Sequence, residues 1–131
     1  MIYLDTSVAL AHLLAEDCRP PDELWARDLV ASRLLEYELW TRLNARELAA
    51  THGDAARLLL ARVAFLELGR PVLERALAPF PTPVRTLDAL HLASAWFLLE
   101  RGHELRLATY DARMADAAEA MGIALFQNLG M

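Results

Sequence analysis

The chain has 131 residues, 56% of them hydrophobic, and carries 18 acidic and 13 basic side chains for a net charge of −5. That length suits one domain with a real core and is short for two. The charge argues against tight non-specific binding to nucleic acid without excluding an RNA substrate. No membrane span is expected, because the longest uncharged stretches, Ala89–Leu99 and Ala120–Met131, fall well short of the ~18 residues a bilayer requires. Asp5 stands where a secretory signal would carry positive charge, and the lone Cys18 has no partner for an intrachain disulfide. Both features predict a cytoplasmic protein, and Cys18 reads as an ordinary small side chain. The apolar fraction exceeds the roughly 45–50% of an average soluble chain, which suggests surface reserved for a partner.

In chain order, Ile2–Asp5 reads as a short buried strand ending on an acid, and Thr6 or Ser7 can cap a helix over about Val8–Ala15. A loop through Cys18–Asp22 leads to a short helix opened by Pro21 or Asp22. Leu29–Ser32 is a second strand, and Leu35, Leu39 and Leu43 repeat at helical spacing in a helix expected from Leu34 to about Thr51. His52-Gly53-Asp54 reads as a break, with Asp54 capping a helix through about Leu68 that is apolar around most of its circumference. Such a helix is central or docked on another subunit. Residues 71–78 read as strand then helix, and Pro79, Pro81 and Pro83 as an extended loop. Thr86 is the expected cap of a helix from Leu87 to about Arg101, closed by Gly102. A strand over Leu105–Thr109, a helix from Asp111 to about Met121 closed by Gly122, and a short strand at Ile123–Phe126 complete the chain. Strands alternating with helices predict one α/β domain, a central parallel sheet flanked by helices on both faces.

Four acidic positions punctuate this layout. Asp5 and Asp111 follow strands, Asp88 lies in the first turn of a helix, and Glu36 and Glu38 open the helix after the second strand. In an α/β sheet those junctions align along the edge where ligands bind. Carboxylates gathered there repel one another unless a cation neutralises them, which predicts a divalent metal with hard oxygen ligands. Such a site polarises a phosphoryl oxygen and readies water for in-line attack on a phosphodiester.

The motifs Tyr3-Leu-Asp5-Thr6-Ser7, Ser32-Arg-Leu-Leu-Glu36-Tyr-Glu38-Leu39, Arg85-Thr-Leu-Asp88-Ala-Leu-His91-Leu-Ala-Ser-Ala95 and Thr109-Tyr-Asp111 resemble those of the PIN-domain ribonucleases. The likeness is closest to the VapC-type toxins of bacterial toxin–antitoxin pairs. It extends in order over roughly residues 1–127, although 52–80 carries no motif. The resemblance implies a single PIN domain over 1–131, acting as an endoribonuclease that uses Mg²⁺ or Mn²⁺ and leaves a 5′-phosphate. It also implies a metal-binding set of Asp5, Glu38, Asp88 and Asp111, a homodimer, and an antitoxin that covers apolar surface and plugs the acidic crevice. Glu36 competes with Glu38, since two positions apart on a helix they point about 200° away from each other; the Glu-Leu-x-x-x-Leu run from Glu38 is closer to the family pattern. Asp116 competes with Asp111, which follows its strand directly.

Thr6 and Thr109 stand beside proposed ligands, where a hydroxyl can hydrogen-bond a carboxylate. His91 falls on the apolar stripe of its helix and reads as a core histidine bonded to backbone rather than a metal ligand. Arg85 is a candidate phosphate contact, while Trp25, Trp40 and Trp96 read as core or partner surface. Other classes fare worse. All 13 bases are arginine, so a haloacid dehalogenase-type phosphotransferase, a receiver domain or a P-loop enzyme lacks its lysine. A PIN-like docking or RNA-binding module without catalysis is the remaining alternative, and it would expect one of the four acids to be missing.

Overall fold

The computed structural model describes residues 1–130. The elements run β1 (Ile2–Leu4), α1 (Thr6–Leu13), a 3₁₀ helix (Asp22–Ala26), β2 (Leu29–Ser32), α2 (Leu34–Ala45), α3 (Ala49–Leu60), β3 (Val63–Leu66), α4 (Arg70–Leu77), α5 (Thr86–Glu100), β4 (Arg106–Ala108), α6 (Ala112–Ala120) and β5 (Ala124–Leu125). The five strands form one parallel sheet in the order β3-β2-β1-β4-β5. Among the described residues no helix is long and apolar enough to cross a membrane.

Strand alternation divides the core into two halves. Ile2, Leu4, Leu29 and Ala31 point to one face, where Val8, Leu35, Leu39, Leu43 and Leu59 from α1, α2 and α3 cover them. Tyr3, Val30 and Leu107 point to the other, under Leu92, Ala95 and Leu98 of α5 and Met114 and Ala117 of α6. β1 and β2 are therefore buried on both faces, and this is why they read as unbroken apolar runs rather than alternating ones.

The middle of the chain departs from the sequence reading. No break falls at His52–Asp54: α3 runs through it, and Gly53 sits against Trp40, whose Cη2 would stand 3.3 Å from an added Cβ. The break lies earlier, at Arg46–Leu48, where Glu47 takes φ 56°. The apolar run 54–68 is two elements rather than one helix. α3 stops at Leu60, and Val63–Leu66 pairs with β2 as the edge strand. A short apolar strand after a helix cannot be told from more helix by periodicity alone. Residues 70–77 are helix from the start, with Pro71 tolerated in the first turn. Gly102 and Gly122 do close α5 and α6 at φ 90° and 82°.

Candidate active site

The strand order reverses between β1 and β4, so the loops leaving their carboxyl ends diverge and open a crevice. Asp5 follows β1 there, held to β4 by its N–H donating to the Ala108 carbonyl at 3.0 Å. Asp111 follows β4, Glu38 projects from the second turn of α2, and Asp88 from the first turn of α5. All four line one cleft of about 850 Å³, together with Thr6, Ser7, Tyr37, Arg42, Arg46, Arg85 and Tyr110. They do not converge on a point: among the described residues no three acidic, imidazole or thiol groups stand close enough to hold a metal as they are.

Three of the carboxylates share one pattern, with one oxygen tied to the protein and the other free. Asp5 is buried, and its Oδ2 accepts from Ser7 Oγ (2.6 Å), Thr109 Oγ1 (2.8 Å) and, at 3.4 Å, the Ser7 N–H. Glu38 Oε1 accepts from Thr6 Oγ1 (2.7 Å) and pairs with His91 Nε2 at 2.5 Å. Asp111 Oδ1 caps α6, taking the Arg113 and Met114 N–H groups at 2.9 and 3.2 Å. Asp5 Oδ1, Glu38 Oε2, Asp111 Oδ2 and both oxygens of Asp88 take no hydrogen bond among the described residues.

The electrostatics separate Glu38 from Asp88. Burial pushes the Glu38 carboxyl up, but the hydrogen bond and charge of His91, the Thr6 hydroxyl and nearby Arg42 outweigh it and hold the group below its ordinary value. Asp88 is raised, first by burial and then by the charges of Asp111 and Asp5, against weaker opposing pulls from His91 and Arg85. No arginine forms an ion pair with Asp5, Asp88 or Asp111 among the described residues.

Of the competing pairs, Glu38 and Asp111 line the cleft. Glu36 faces Arg33 at 3.8 Å, and Asp116 is exposed on α6. Thr6 does not cap α1: Asp5 is the N-cap residue, and the Thr6 hydroxyl is turned to Glu38. Thr86 does not cap α5 either, since the N-cap position is Arg85 and makes no side-chain hydrogen bond. His91 is a core histidine, but its bonds go to Glu38 and to the Tyr3 hydroxyl (2.8 Å) rather than to backbone. Sequence reasoning missed Ser7, seen only as a possible cap, and the cleft-lining Arg42, Arg46 and Tyr37. Arg42 and Arg46 follow Glu38 at four-residue intervals along α2 and its C-cap, a spacing that could have placed them. None of the three tryptophans lines this cleft.

Comparison with known proteins identifies the family of this fold. The sequence pattern of the PIN domain matches residues 2–120. The chain is 37% identical over 131 residues to Ribonuclease VapC46 and 34% identical over 134 residues to Ribonuclease VapC35, both of Mycobacterium tuberculosis, covering 95% of each chain in both cases. The chain belongs to the VapC-type PIN-domain family. Solved structures with the same fold include Mycobacterium tuberculosis VapC20, titled a sarcin-ricin loop cleaving toxin, at a TM-score of 0.64 and 23% identity over 89% of this chain and 95% of that one. A toxin–antitoxin complex from Klebsiella pneumoniae also gives 0.64, at 16% identity over 92% and 94%. The donors of this PIN domain fit a divalent cation. They are hard oxygens on residues that line one cleft, each acid has an oxygen without a hydrogen bond, and Asp5, Asp88 and Asp111 have no cationic partner among the described residues.

Proposed function

We propose that this PIN domain is a metal-dependent endoribonuclease, with Asp5, Glu38, Asp88 and Asp111 as the ligands of Mg²⁺ or Mn²⁺. The observation that carries the reading is the arrangement of tied and free oxygens. Asp5, Glu38 and Asp111 are each fixed by one oxygen, which leaves the other for a cation, and unpaired acids in one cleft are costly without such a charge. Relatives named ribonucleases support RNA as the substrate. A divalent cation at the site supplies Lewis acidity toward a phosphoryl oxygen and lowers the pKa of water beside it. The protein's own part is positional. Ser7 and Thr109 hold Asp5, Thr6 and His91 hold Glu38, and the first turn of α6 holds Asp111. Arg42, Arg46 and Arg85 on the cleft walls bind phosphates of the strand. Tyr37, 62% exposed on the rim, offers a face for base stacking.

The protein acts in this reading as the toxin of a toxin–antitoxin pair in the cytoplasm. A groove lined by Leu13, Trp25, Ala26, Leu58 and Leu59 supports an antitoxin partner: Leu58 is 72% exposed, and Trp25 Nε1 is buried without a hydrogen-bond partner among the described residues. The homodimer can no longer rest on an apolar helix at 54–68. Its support passes to the exposed Leu73 and Leu77, one turn apart on α4, and sedimentation as a clean monomer at micromolar concentration would remove it.

The deciding experiment is RNA cleavage by purified protein with Mg²⁺ or Mn²⁺, with EDTA, and with Asp88→Asn. Cutting that needs metal and disappears in the variant is expected. Cutting that survives in EDTA or in Asp88→Asn overturns the assignment. Absence of both cutting and metal binding would leave the docking module as the function.

A further inference from the structure

Glu38 is held by a chain of buried polar groups that reaches through three other elements. Ser32 N–H in β2 donates to Tyr3 Oη at 3.0 Å, Tyr3 Oη lies 2.8 Å from His91 Nδ1, and His91 Nε2 lies 2.5 Å from Glu38 Oε1. Tyr3 and His91 are among the most buried side chains of the molecule, at 0% and 1% exposure. Ser32 also binds the start of α2, its Oγ accepting from Leu34 N–H at 3.0 Å, so the helix bearing Glu38 and the chain supporting it share an anchor.

A phenol and an imidazole in a core cost free energy unless both are satisfied. Apolar side chains of similar size would fill the same space without that demand. Here the polar groups are satisfied in series and end on one oxygen of a carboxylate in the cleft. Ionised, that carboxylate only accepts, so His91 Nε2 must carry hydrogen; whenever the ring is uncharged Nδ1 is then an acceptor, and Tyr3 is the donor to it. A ring fixed in this way can offer Glu38 a bond from only one direction. With Thr6 filling the second bond to Oε1, the carboxylate plane is set and Oε2 is left free.

We propose that Tyr3 and His91 are positioning residues for metal binding: Tyr3 fixes the orientation and tautomer of His91, and His91 turns Glu38 so that Oε2 faces the cation. The proposal rests on Glu38 being a metal ligand, as argued above. The roles are distinct from catalysis, since neither side chain lines the cleft.

The test uses metal-free protein and two readouts that need no RNA. Nitrogen-15 NMR of the imidazole should show His91 as the Nε2–H tautomer in wild type and as a tautomer mixture in Tyr3→Phe, which keeps the ring and loses only the hydroxyl. Mn²⁺ affinity by electron paramagnetic resonance should fall about 10–100-fold in His91→Leu and be largely restored in His91→Gln, whose amide N–H₂ can still reach Glu38. Circular dichroism confirms that each variant is folded. If His91→Leu unfolds, Tyr3→Phe decides alone, with a several-fold loss of Mn²⁺ affinity expected. An Nδ1–H tautomer in wild type overturns the proposal, as does undiminished Mn²⁺ affinity in folded His91→Leu or in Tyr3→Phe, or a His91→Gln protein as defective as His91→Leu. Glu38→Gln separates the two levels of the argument. Unchanged affinity there removes Glu38 from the metal site and the positioning role with it, whereas weakened affinity there beside an unaffected His91→Leu removes only the positioning role.

Discussion

The two walls of the cleft are built differently. On one, β1, β4, α2 and α6 present Asp5, Glu38 and Asp111, each with an oxygen already bound by hydroxyl, imidazole or backbone donors. On the other, Asp88 stands at the start of α5 behind the proline-containing loop 79–83, with no hydrogen bond among the described residues. The first wall is organised before any ligand arrives. The second is not, and burial, followed by the charges of Asp111 and Asp5, raises the Asp88 carboxyl above its ordinary value. One side of the site is thus a hydrogen-bonded template, and the other is a group whose ionisation the fold disfavours.

The largest expected effects fall on the acids themselves, and they separate the walls. Asp5→Asn and Asp88→Asn should each reduce RNA cleavage by more than the roughly 10–100-fold that losing an outer partner costs. Their metal-free melting temperatures should move in opposite directions. Asp5→Asn disturbs an acceptor that takes two hydroxyl donors at 2.6 and 2.8 Å, so it should melt lower. The folded-state pKa of Asp88 is raised, so its ionisation is penalised in the fold, and the penalty grows as pH climbs from its unfolded value through the higher folded one. At neutral pH Asp88→Asn removes that penalty and should melt higher; below the unfolded value the gain should vanish. Glu38 behaves oppositely. Its lowered value means that its contribution is present above the unfolded pKa and lost as pH falls through the folded one. Equal melting shifts for Asp5→Asn and Asp88→Asn in calorimetry would erase the distinction between the walls.

Smaller effects should follow from loosening the template without removing a ligand. Ser7→Ala and Thr109→Val each delete one donor to Asp5 Oδ2, at a cost of about 1–2 kcal/mol in stability. Cleavage should fall by about tenfold, with the deficit shrinking at high Mn²⁺. A deficit that Mn²⁺ cannot reduce would place these hydroxyls in the chemical step instead. Substrate contacts come next. Arg42 on α2 and Arg46, the residue that caps its C-terminus, follow Glu38 at steps of one turn or about 6 Å, and both are exposed on the cleft. Arg42→Ala and Arg46→Ala should each flatten the dependence of single-stranded RNA affinity on log salt by about 0.7, measured by fluorescence anisotropy in EDTA. A variant with an unchanged slope carries no phosphate contact.

How much of this was legible depended on where the physical signal lay. β1 and β2 were readable because buried parallel strands make unbroken apolar runs, and Asp5 and Asp111 stood out because each lies just past a strand. The hydrogen bonds that tie Thr109 to Asp5, Tyr3 to His91 and His91 to Glu38 join residues 53 to 104 positions apart. No local pattern specifies such contacts, although Tyr3 and His91 both stand inside the motifs. The sequence misled outright at residues 46–68. Gly53 looked like punctuation, yet it is a helix-interior glycine beside Trp40, and β3 extended an apolar run begun in α3.

The true helix end was hidden because a glutamate occupies the position where glycine usually signals it. Past α2, Leu48 N–H donates to the Leu43 carbonyl at 2.8 Å and Glu47 N–H to Asn44 at 3.1 Å. This is the same pair of bonds that Gly102 and Gly122 complete after α5 and α6. In those two places glycine adopts positive φ freely; Glu47 adopts 56° against the clash of its Cβ with the backbone. Glu47→Gly should therefore stabilise the protein by about 1 kcal/mol, read from the denaturant midpoint at unchanged slope. Cleavage should be untouched, because α2 already ends where its last carbonyls are satisfied and Glu38 lies two turns back. A loss of stability would mean that the Glu47 side chain contributes more than its backbone conformation costs, and that the helix carrying Glu38 is fixed from its far end as well.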